Sequence, residues 1–301
     1  MNLNEYEKID REYLIHPMTH LAKFERGEID NRIMKTARGV KIIDAQGNSF
    51  IDAFSGLYCV NVGYGCTDII EAIKKQAEEL AYYHCYYGNA TEASIKLSDM
   101  VIERAPNNMK KIYFGLSGSD ANDTNIKLLW YYNNLIGHTK KKKIISRKGG
   151  YHGASIFTGS LTGIKTYHTN YDLPIEGILH TEPAFYFHRA ELDQTEDEYS
   201  QFCADQLEEL ILKENPDTVA GFIAEPVIGN GGLVPPPHNY WTRIKNVLEK
   251  YDVALISDEV VTGFGRLGKM FGVDYFGIEA DMITVAKGIT SAYSPLSGSI
   301  L

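Results

Sequence analysis

Cysteine is scarce in this chain. There are four in 301 residues, Cys59, Cys66, Cys85 and Cys203, with no CxxC pair and no His/Cys spacing of the kind that holds a metal. In a chain this long so few thiols speak against a disulfide framework and for reduced cysteines in a cytosolic protein. Long apolar runs are missing as well. None approaches the ~20 residues a helix needs to cross a bilayer, and residues 1–11 are charged and polar where a secretory signal would be apolar. The expectation is a soluble, cytoplasmic protein. An excess of positive charge is also absent: 30 Lys and Arg against 39 Asp and Glu leave a net charge of −9, which argues against nucleic acid or an anionic membrane as main partner. The one basic run, residues 140–143, reads as a solvated turn, with a localisation signal as the sharper alternative. No internal repeat is found, and neither a Walker A loop nor a GxGxxG fingerprint occurs.

What is present is ample core material, 44% hydrophobic residues with 23% charged, and a regular alternation of patterns. Residues 40–54 (VKIIDAQGNSFIDAF) read as two strands around a turn. Residues 68–82 and 91–105 carry apolar side chains at helical spacing. Beyond them, short β-branched runs at 111–115, 143–146, 219–224, 253–257 and 281–285 alternate with helical patterns at 120–136, 199–213 and 239–251. That order implies βαβ units around a largely parallel sheet. Residues 185–200 read as a surface loop, and 229–237 as a rigid strand-to-helix loop. Ligands of such sheets bind at the carboxyl ends of the strands, so the strand ends carry the functional reading.

Residues 114–122 join a strand to a helix through small residues, including Gly118 and Ser119. Glycine admits an anion close to the backbone, serine donates to it, and a helix N-terminus adds unpaired N–H groups. The plainer reading is a tight turn with Ser119 as helix cap. Tyr151 and His152 follow the next strand; a ring there can stack on a flat cofactor, or be an ordinary half-buried aromatic. Glu225 ends another strand beside Pro226. Asp258 and Glu259 terminate the apolar run 253–256, where a carboxylate is costly unless a positive group meets it: a protonated pyridine nitrogen, a metal, or a neighbouring arginine such as Arg266. Lys287 stands just past the last strand, either as an exposed cation or as an amine for aldehyde chemistry. Each signal is weak alone. Together, an anion site, a ring platform, a strand-end acid and a strand-end amine are what pyridoxal phosphate requires.

These motifs resemble the class III aminotransferases of fold-type I, in the ω-amino acid (amine):pyruvate branch. The resemblance runs through residues 56–65 (GLYCVNVGYG), 115–124 (GLSGSDANDT), 150–153 (GYHG), 224–227 (AEPV), 257–266 (SDEVVTGFGR) and 286–288 (AKG). It implies an α/β fold with a three-layer α/β/α large domain on a mainly parallel sheet, at residues 56–301, and the N-terminal part of a small domain at residues 1–55. It implies pyridoxal 5'-phosphate as cofactor and no metal. Gly118 and Ser119 would bind its phosphate, Tyr151 would stack on its ring, and His152 belongs with the same cofactor-binding set. Asp258 would pair with the ring nitrogen, Val260 would pack on the other ring face, and Glu225 would hold the Asp258 region. Lys287 would bond to the aldehyde and serve as base, and Tyr58 would line the substrate pocket where relatives often carry tryptophan. The implied reaction moves an amino group from an ω-amino acid or amine to a keto acid, pyruvate above all, in a homodimer or dimer-based tetramer. Decarboxylase, racemase or aminomutase chemistry remains open on the same motifs. The resemblance also implies a threonine sent to the neighbouring subunit's phosphate and a C-terminal small domain. With the sequence ending 14 residues past Lys287, the expectation is a truncated product, with an inactive fragment as the further alternative.

Overall fold

The computed structural model describes residues 2–188 and 193–301. It divides into two compact units, Met1–Ala81 and Tyr82–Leu301. The division thus follows Ala81, where the sequence-based expectation set it after residue 55.

The first unit opens with helices α1 (Leu3–Tyr13) and α2 (Leu21–Glu25) and continues into an antiparallel sheet of β1 (Met34–Arg38), β2 (Lys41–Asp44) and β3 (Ser49–Ile51). The β2–β3 turn is held by Asp44, whose Oδ1 accepts the Gln46 and Asn48 backbone N–H groups at 3.0 and 2.8 Å. Strand β1 was not anticipated; Met34–Arg38 alternates too little to be read without its partner. A short turn, α3 (Ser55–Tyr58), and the helix α4 (Thr67–Leu80) complete the unit. In that turn Ser55, Gly56, Leu57 and Tyr58 all take left-handed backbone angles, with φ of 52°, 55°, 72° and 66°. For the three residues with side chains this conformation costs roughly 1–2 kcal/mol each. Asp52 offsets part of that cost by accepting the Gly56 N–H and the Tyr64 hydroxyl, both at 2.7 Å.

The second unit is built on one sheet. Its strands are β4 (Ile112–Gly115), β5 (Lys143–Arg147), β6 (Ile178–Thr181), β7 (Val219–Ala224), β8 (Ala254–Asp258), β9 (Met282–Val285) and β10 (Ser297–Ile300), in the order β4-β10-β9-β8-β7-β5-β6. Strands β5 to β9 are mutually parallel, and β10 runs antiparallel to both β9 and β4. The helices are α5 (Glu92–Arg104), α6 (Gly118–Leu135), α7 (Ile156–Leu161), α8 (Glu196–Lys213), α9 (Tyr240–Lys250) and the short α10 (Gly272–Phe276).

Strand residues alternate between two cores, as a sheet covered on both faces requires. Ile145, Phe222, Leu255 and Ile283 pack with the buried side chains of α8 and α9, while Ile144, Ile223 and Ile256 pack with Ile126 and Leu129 of α6. Helix α6 approaches closely: a Cβ at Gly221 would stand 2.9 Å from Leu129 Cδ2. The expected parallel α/β organisation is present, with two additions. Strands β6 and β10 were not read from the sequence.

Three other expectations are corrected. Helix α8 begins at Glu196, so the loop predicted over 185–200 ends earlier; residues 189–192 of it lie outside the described residues. Strand β5 extends one residue further, to Arg147, which is fully buried. The basic run at 140–143 is no free turn. Lys141 is 5% exposed and pairs with Asp252 at 2.6 Å; Lys143 pairs with Glu214 at 2.7 Å, and Lys142 donates to Asn134 Oδ1 at 2.7 Å. These lysines fasten helix ends and loops to the amino-terminal edge of the sheet.

Candidate active site

Register places the candidate residues side by side. Ala224 pairs with Ser257, and Asp258 with Thr284. Glu225, Asp258 and the segment leading to Lys287 therefore leave the sheet from three neighbouring parallel strands, all at carboxyl ends. Tyr151 and His152 follow β5, the strand on the other side of β7.

Asp258 is 2% exposed and satisfied from three directions. Its Oδ2 accepts from Asn122 Nδ2 at 2.9 Å and pairs with His152 Nδ1 at 2.8 Å; its Oδ1 accepts the Val260 N–H at 3.1 Å. The same Asn122 amide donates to the His152 carbonyl at 2.8 Å, and Asn122 Oδ1 accepts from Thr284 Oγ1 at 2.6 Å. Thr284 in turn accepts from Asn125 at 2.7 Å. Helix α6, the β5 loop, β8 and β9 thus converge on one carboxylate. Charge-assisted hydrogen bonds of this kind are about twice as strong as neutral ones and fix the acceptor's orientation.

The N-terminus of α6 faces the same place. A Cβ at Gly118 would meet Val260 Cγ2 at 2.9 Å, so only glycine lets the helix start reach the loop after β8. Ser119 Oγ accepts the Ala154 N–H at 3.3 Å, and a Cβ at Gly153 would come within 2.5 Å of that oxygen. The cap of this helix is Ser117, not Ser119. Ser117 Oγ accepts the Asp120 N–H at 3.3 Å, and Asp120 accepts the Ser117 N–H at 3.1 Å in return. Ser119 therefore sits in the first turn, and Gly118 and Ser119 carry two of the N–H groups that have no acceptor inside the helix. An anion placed there meets donors and a favourable dipole.

Tyr151 is half-buried and packs edge-on against Tyr167, ring centroids 5.3 Å apart. Burial raises its phenol, with Tyr167 and Asp258 adding to the effect. Glu225 is buried, and that burial raises its carboxyl despite the neighbouring His152 and Arg147; its Oε1 accepts the Gly229 N–H at 3.0 Å. Lys287, half-buried, has φ of 47°, a left-handed backbone for a residue with a side chain. Such strain collects at functional positions because the surrounding structure must hold it. Tyr58 lies in the first unit, in the left-handed turn described above.

Sequence reasoning missed Asn122, Asn125, Thr284 and Arg147. The two asparagines stand among the apolar residues of one α6 face, and Arg147 closes an apolar strand just as Asp258 does; the rule applied to the acid would have found the cation.

Glu259, next to Asp258, has no exposed surface. It accepts the Gly272 and Val273 N–H groups at 2.8 and 2.7 Å and the Thr262 hydroxyl, and burial lifts its carboxyl to about 7. A carboxyl raised in the folded state favours folding below its unfolded value, near 4.5, and loses that advantage as pH climbs to about 7. Unfolding by urea is expected to show stability falling by a few kcal/mol across that window through this group. Glu259→Gln is expected to flatten that part of the profile, and an unchanged slope would remove Glu259 as its source.

Taken together, these residues form a dry carboxylate, a helix-start anion site, a half-buried ring and a strained lysine around the carboxyl edge of one sheet. The residues fit a planar, phosphorylated pyridine aldehyde: a buried acid for the ring nitrogen and a glycine-lined cradle for the phosphate.

The family model for class-III aminotransferases matches residues 24–300. A diaminobutyrate–2-oxoglutarate transaminase of Halomonas elongata is 54% identical over 97% of this chain and 63% of its own length. A mitochondrial gamma aminobutyrate transaminase of Solanum lycopersicum is 42% identical over 96% of this chain and 56% of its own. Among solved structures, an omega transaminase from Pseudomonas jessenii in complex with PMP superposes with a TM-score of 0.96 at 38% identity, covering 100% of this chain and 65% of that one. A transaminase from directed evolution by ancestral reconstruction gives 0.98 at 54% identity, covering 100% and 66%. The chain thus spans less than two-thirds of the length of these curated relatives, and it belongs to the class III aminotransferase family.

Proposed function

We propose that this chain binds pyridoxal 5'-phosphate and takes part in transamination, moving an amino group from an ω-amino acid or an amine to a keto acid, with pyruvate as acceptor. The observation that carries the reading is Asp258, a carboxylate buried at the end of β8 and held by His152, Asn122 and the Val260 N–H. So much hydrogen bonding around a dry acid makes sense when a cationic ring nitrogen completes it. When bound, the cofactor supplies an aldehyde for the donor's amine and a pyridine ring that draws off the electron pair left on the amine-bearing carbon.

The chain's own residues do the rest. Gly118 and Ser119 bind the phosphate through helix-start N–H groups and the Ser119 hydroxyl. Tyr151 and Val260 would hold the ring and exclude water from it. Asp258 keeps a negative charge at the ring nitrogen, and His152 and Glu225 hold Asp258 in place. Lys287 anchors the cofactor through Nζ. With a donor amine in place, the same Nζ, as a free amine, would be the base that takes the proton from the donor's amine-bearing carbon.

Alanine formation from pyruvate, with diaminobutyrate or 4-aminobutyrate as donor, is the test, run on the chain loaded with cofactor. Glutamate from 2-oxoglutarate instead would move the acceptor to that keto acid, as the name of the Halomonas elongata relative suggests. Carbon dioxide release or racemised donor without any new amino acid would replace transamination by other chemistry. A chain that takes up no cofactor would sink the reading entirely.

Two copies of the chain are proposed to pair. The support is a run of exposed aromatics, Tyr82, Tyr83, Tyr86 and Tyr87, with Tyr87 98% exposed; a monomer in sedimentation would remove it. A reducing, cytoplasmic setting is proposed from the scarcity of cysteine, four in 301 residues with no CxxC pair.

A further inference from the structure

Beside His152 lie two buried polar atoms that make no hydrogen bond among the described residues. His152 Nδ1 is engaged with Asp258, but its Nε2 has no hydrogen-bond partner among the described residues. Glu225 Oε1 accepts the Gly229 N–H, while Oε2 has no hydrogen-bond partner among the described residues. His152 is 2% exposed and Glu225 3%. Both orphan atoms face Gly150: a Cβ built there would lie 3.2 Å from each of them. Folded proteins rarely leave two such atoms dry, and a gap lined by polar groups is where a buried water is held.

Arg147 supports the group from below. It is fully buried, its Nη2 donates to the Glu225 carbonyl and lies 3.9 Å from Glu225 Oε2. Its guanidinium lies over the Tyr240 and Trp241 rings, 5.7 and 5.5 Å from their centroids. Its place is to keep Glu225 where Oε2 can reach toward the imidazole.

We infer that one ordered water bridges His152 Nε2 and Glu225 Oε2, so that Arg147, Glu225 and Gly150 act as positioning residues. They fix the His152 ring and, through it, the Asp258 carboxylate. Glycine at 150 is then required because a methyl group would enter the space the water needs. What Asp258 faces rests on the proposed function, whereas the bridge belongs to the chain alone.

A crystal structure of the chain without added cofactor is expected to show a water within hydrogen-bonding distance of both atoms. Gly150→Ala is expected to expel it and to move the His152 Nε2 resonance in 15N spectra, again without cofactor. The Kd for pyridoxal 5'-phosphate is expected to rise about tenfold in Gly150→Ala and Glu225→Ala, as when an outer partner of a binding group is lost. Glu225→Gln, which can still bond the water, is expected to stay within about threefold of the parent. A dry gap in the parent chain overturns the inference. So does a Gly150→Ala variant with unchanged resonance and Kd, or a Gln variant as weak as the Ala one. If Gly150→Ala does not fold, the parent structure and the two Glu225 variants decide. A chain that holds the water yet takes up no cofactor sinks the proposed function and leaves the bridge standing.

Discussion

Replacing Lys287 with alanine is expected to abolish the borohydride-fixable attachment of pyridoxal phosphate and to lower turnover by about 10⁴-fold or more, the scale of a lost general base combined with a lost covalent anchor. The structural reason begins at the backbone. Lys287 sits three residues beyond Thr284, which pairs with Asp258 across β8 and β9, and its φ of 47° holds it in a turn that L residues avoid. Alanine in the same turn carries the same backbone penalty, so folding stability is expected to change little and the loss to be chemical. Lys287→Arg separates charge from chemistry: a guanidinium keeps the positive charge but stays protonated, so it can neither bond to an aldehyde nor accept a proton. Both variants are expected to be equally inactive, with circular dichroism and melting temperature close to the parent chain. An arginine variant that keeps more than about a hundredth of the activity would show that charge, not the amine, is what position 287 supplies.

Much of this site could be read from the sequence because its residues break local rules. Asp258 follows four apolar residues and a serine, and an acid there is anomalous until a partner is named. Gly118 and Ser119 stand at a strand-to-helix junction made of small residues, where backbone and hydroxyl can approach an anion. The parallel core was legible for the same kind of reason: Val219–Ala224 is a short β-branched and aromatic run with every residue buried, and such runs stand out between helical patterns. What stayed hidden depends on long-range pairing. Ser297–Ile300 is small and polar, and it is a strand only because β4 and β9 flank it on both sides. The β6 strand, Ile178–Thr181, carries a histidine and lies at the sheet edge, so it lacks the continuous apolar run that marks its neighbours. The plainer alternative of Ser119 as helix cap fails because two serines flank one glycine, and the Ser-x-x-Asp spacing of Ser117 and Asp120 is the signal that decides between them. Polar core residues are the hardest class. Asn122, Asn125 and Thr284 have ordinary helix and strand positions, and their worth appears only when four separate segments meet at one carboxylate. Nor does any residue type announce the left-handed turn at Ser55–Tyr58, since three of its four members have side chains.

Asp258→Asn is expected to reduce turnover by about 10³-fold, roughly 4 kcal/mol of barrier, the scale seen when one preorganised electrostatic contact to the reacting centre is removed. Two effects combine. The amide is neutral, so the ring nitrogen loses the charge that keeps it protonated. The amide also has an NH₂ group with two N–H donors where the carboxylate had only acceptors, and three donors already point at this side chain: Asn122 Nδ2, the Val260 N–H and, in its bond to the acid, His152 Nδ1. Whichever way the new amide turns, its NH₂ group meets a donor, and a buried mismatch costs about 1–3 kcal/mol of stability. A double variant tests that geometry. Asn122→Asp supplies an acceptor where the new amide donates, at the expense of the Asn122 bond to the His152 carbonyl. If the donor clash is real, the double variant is expected to recover part of the stability lost in Asp258→Asn, measured by urea unfolding, while turnover stays low because no charge has returned to position 258. Recovery of turnover together with stability would mean that a carboxylate anywhere in the pocket serves the ring. Loss of neither in the single variant would mean that the dry carboxylate at the end of β8 is structural, and the cofactor's partner would have to be sought elsewhere on the carboxyl edge of the sheet.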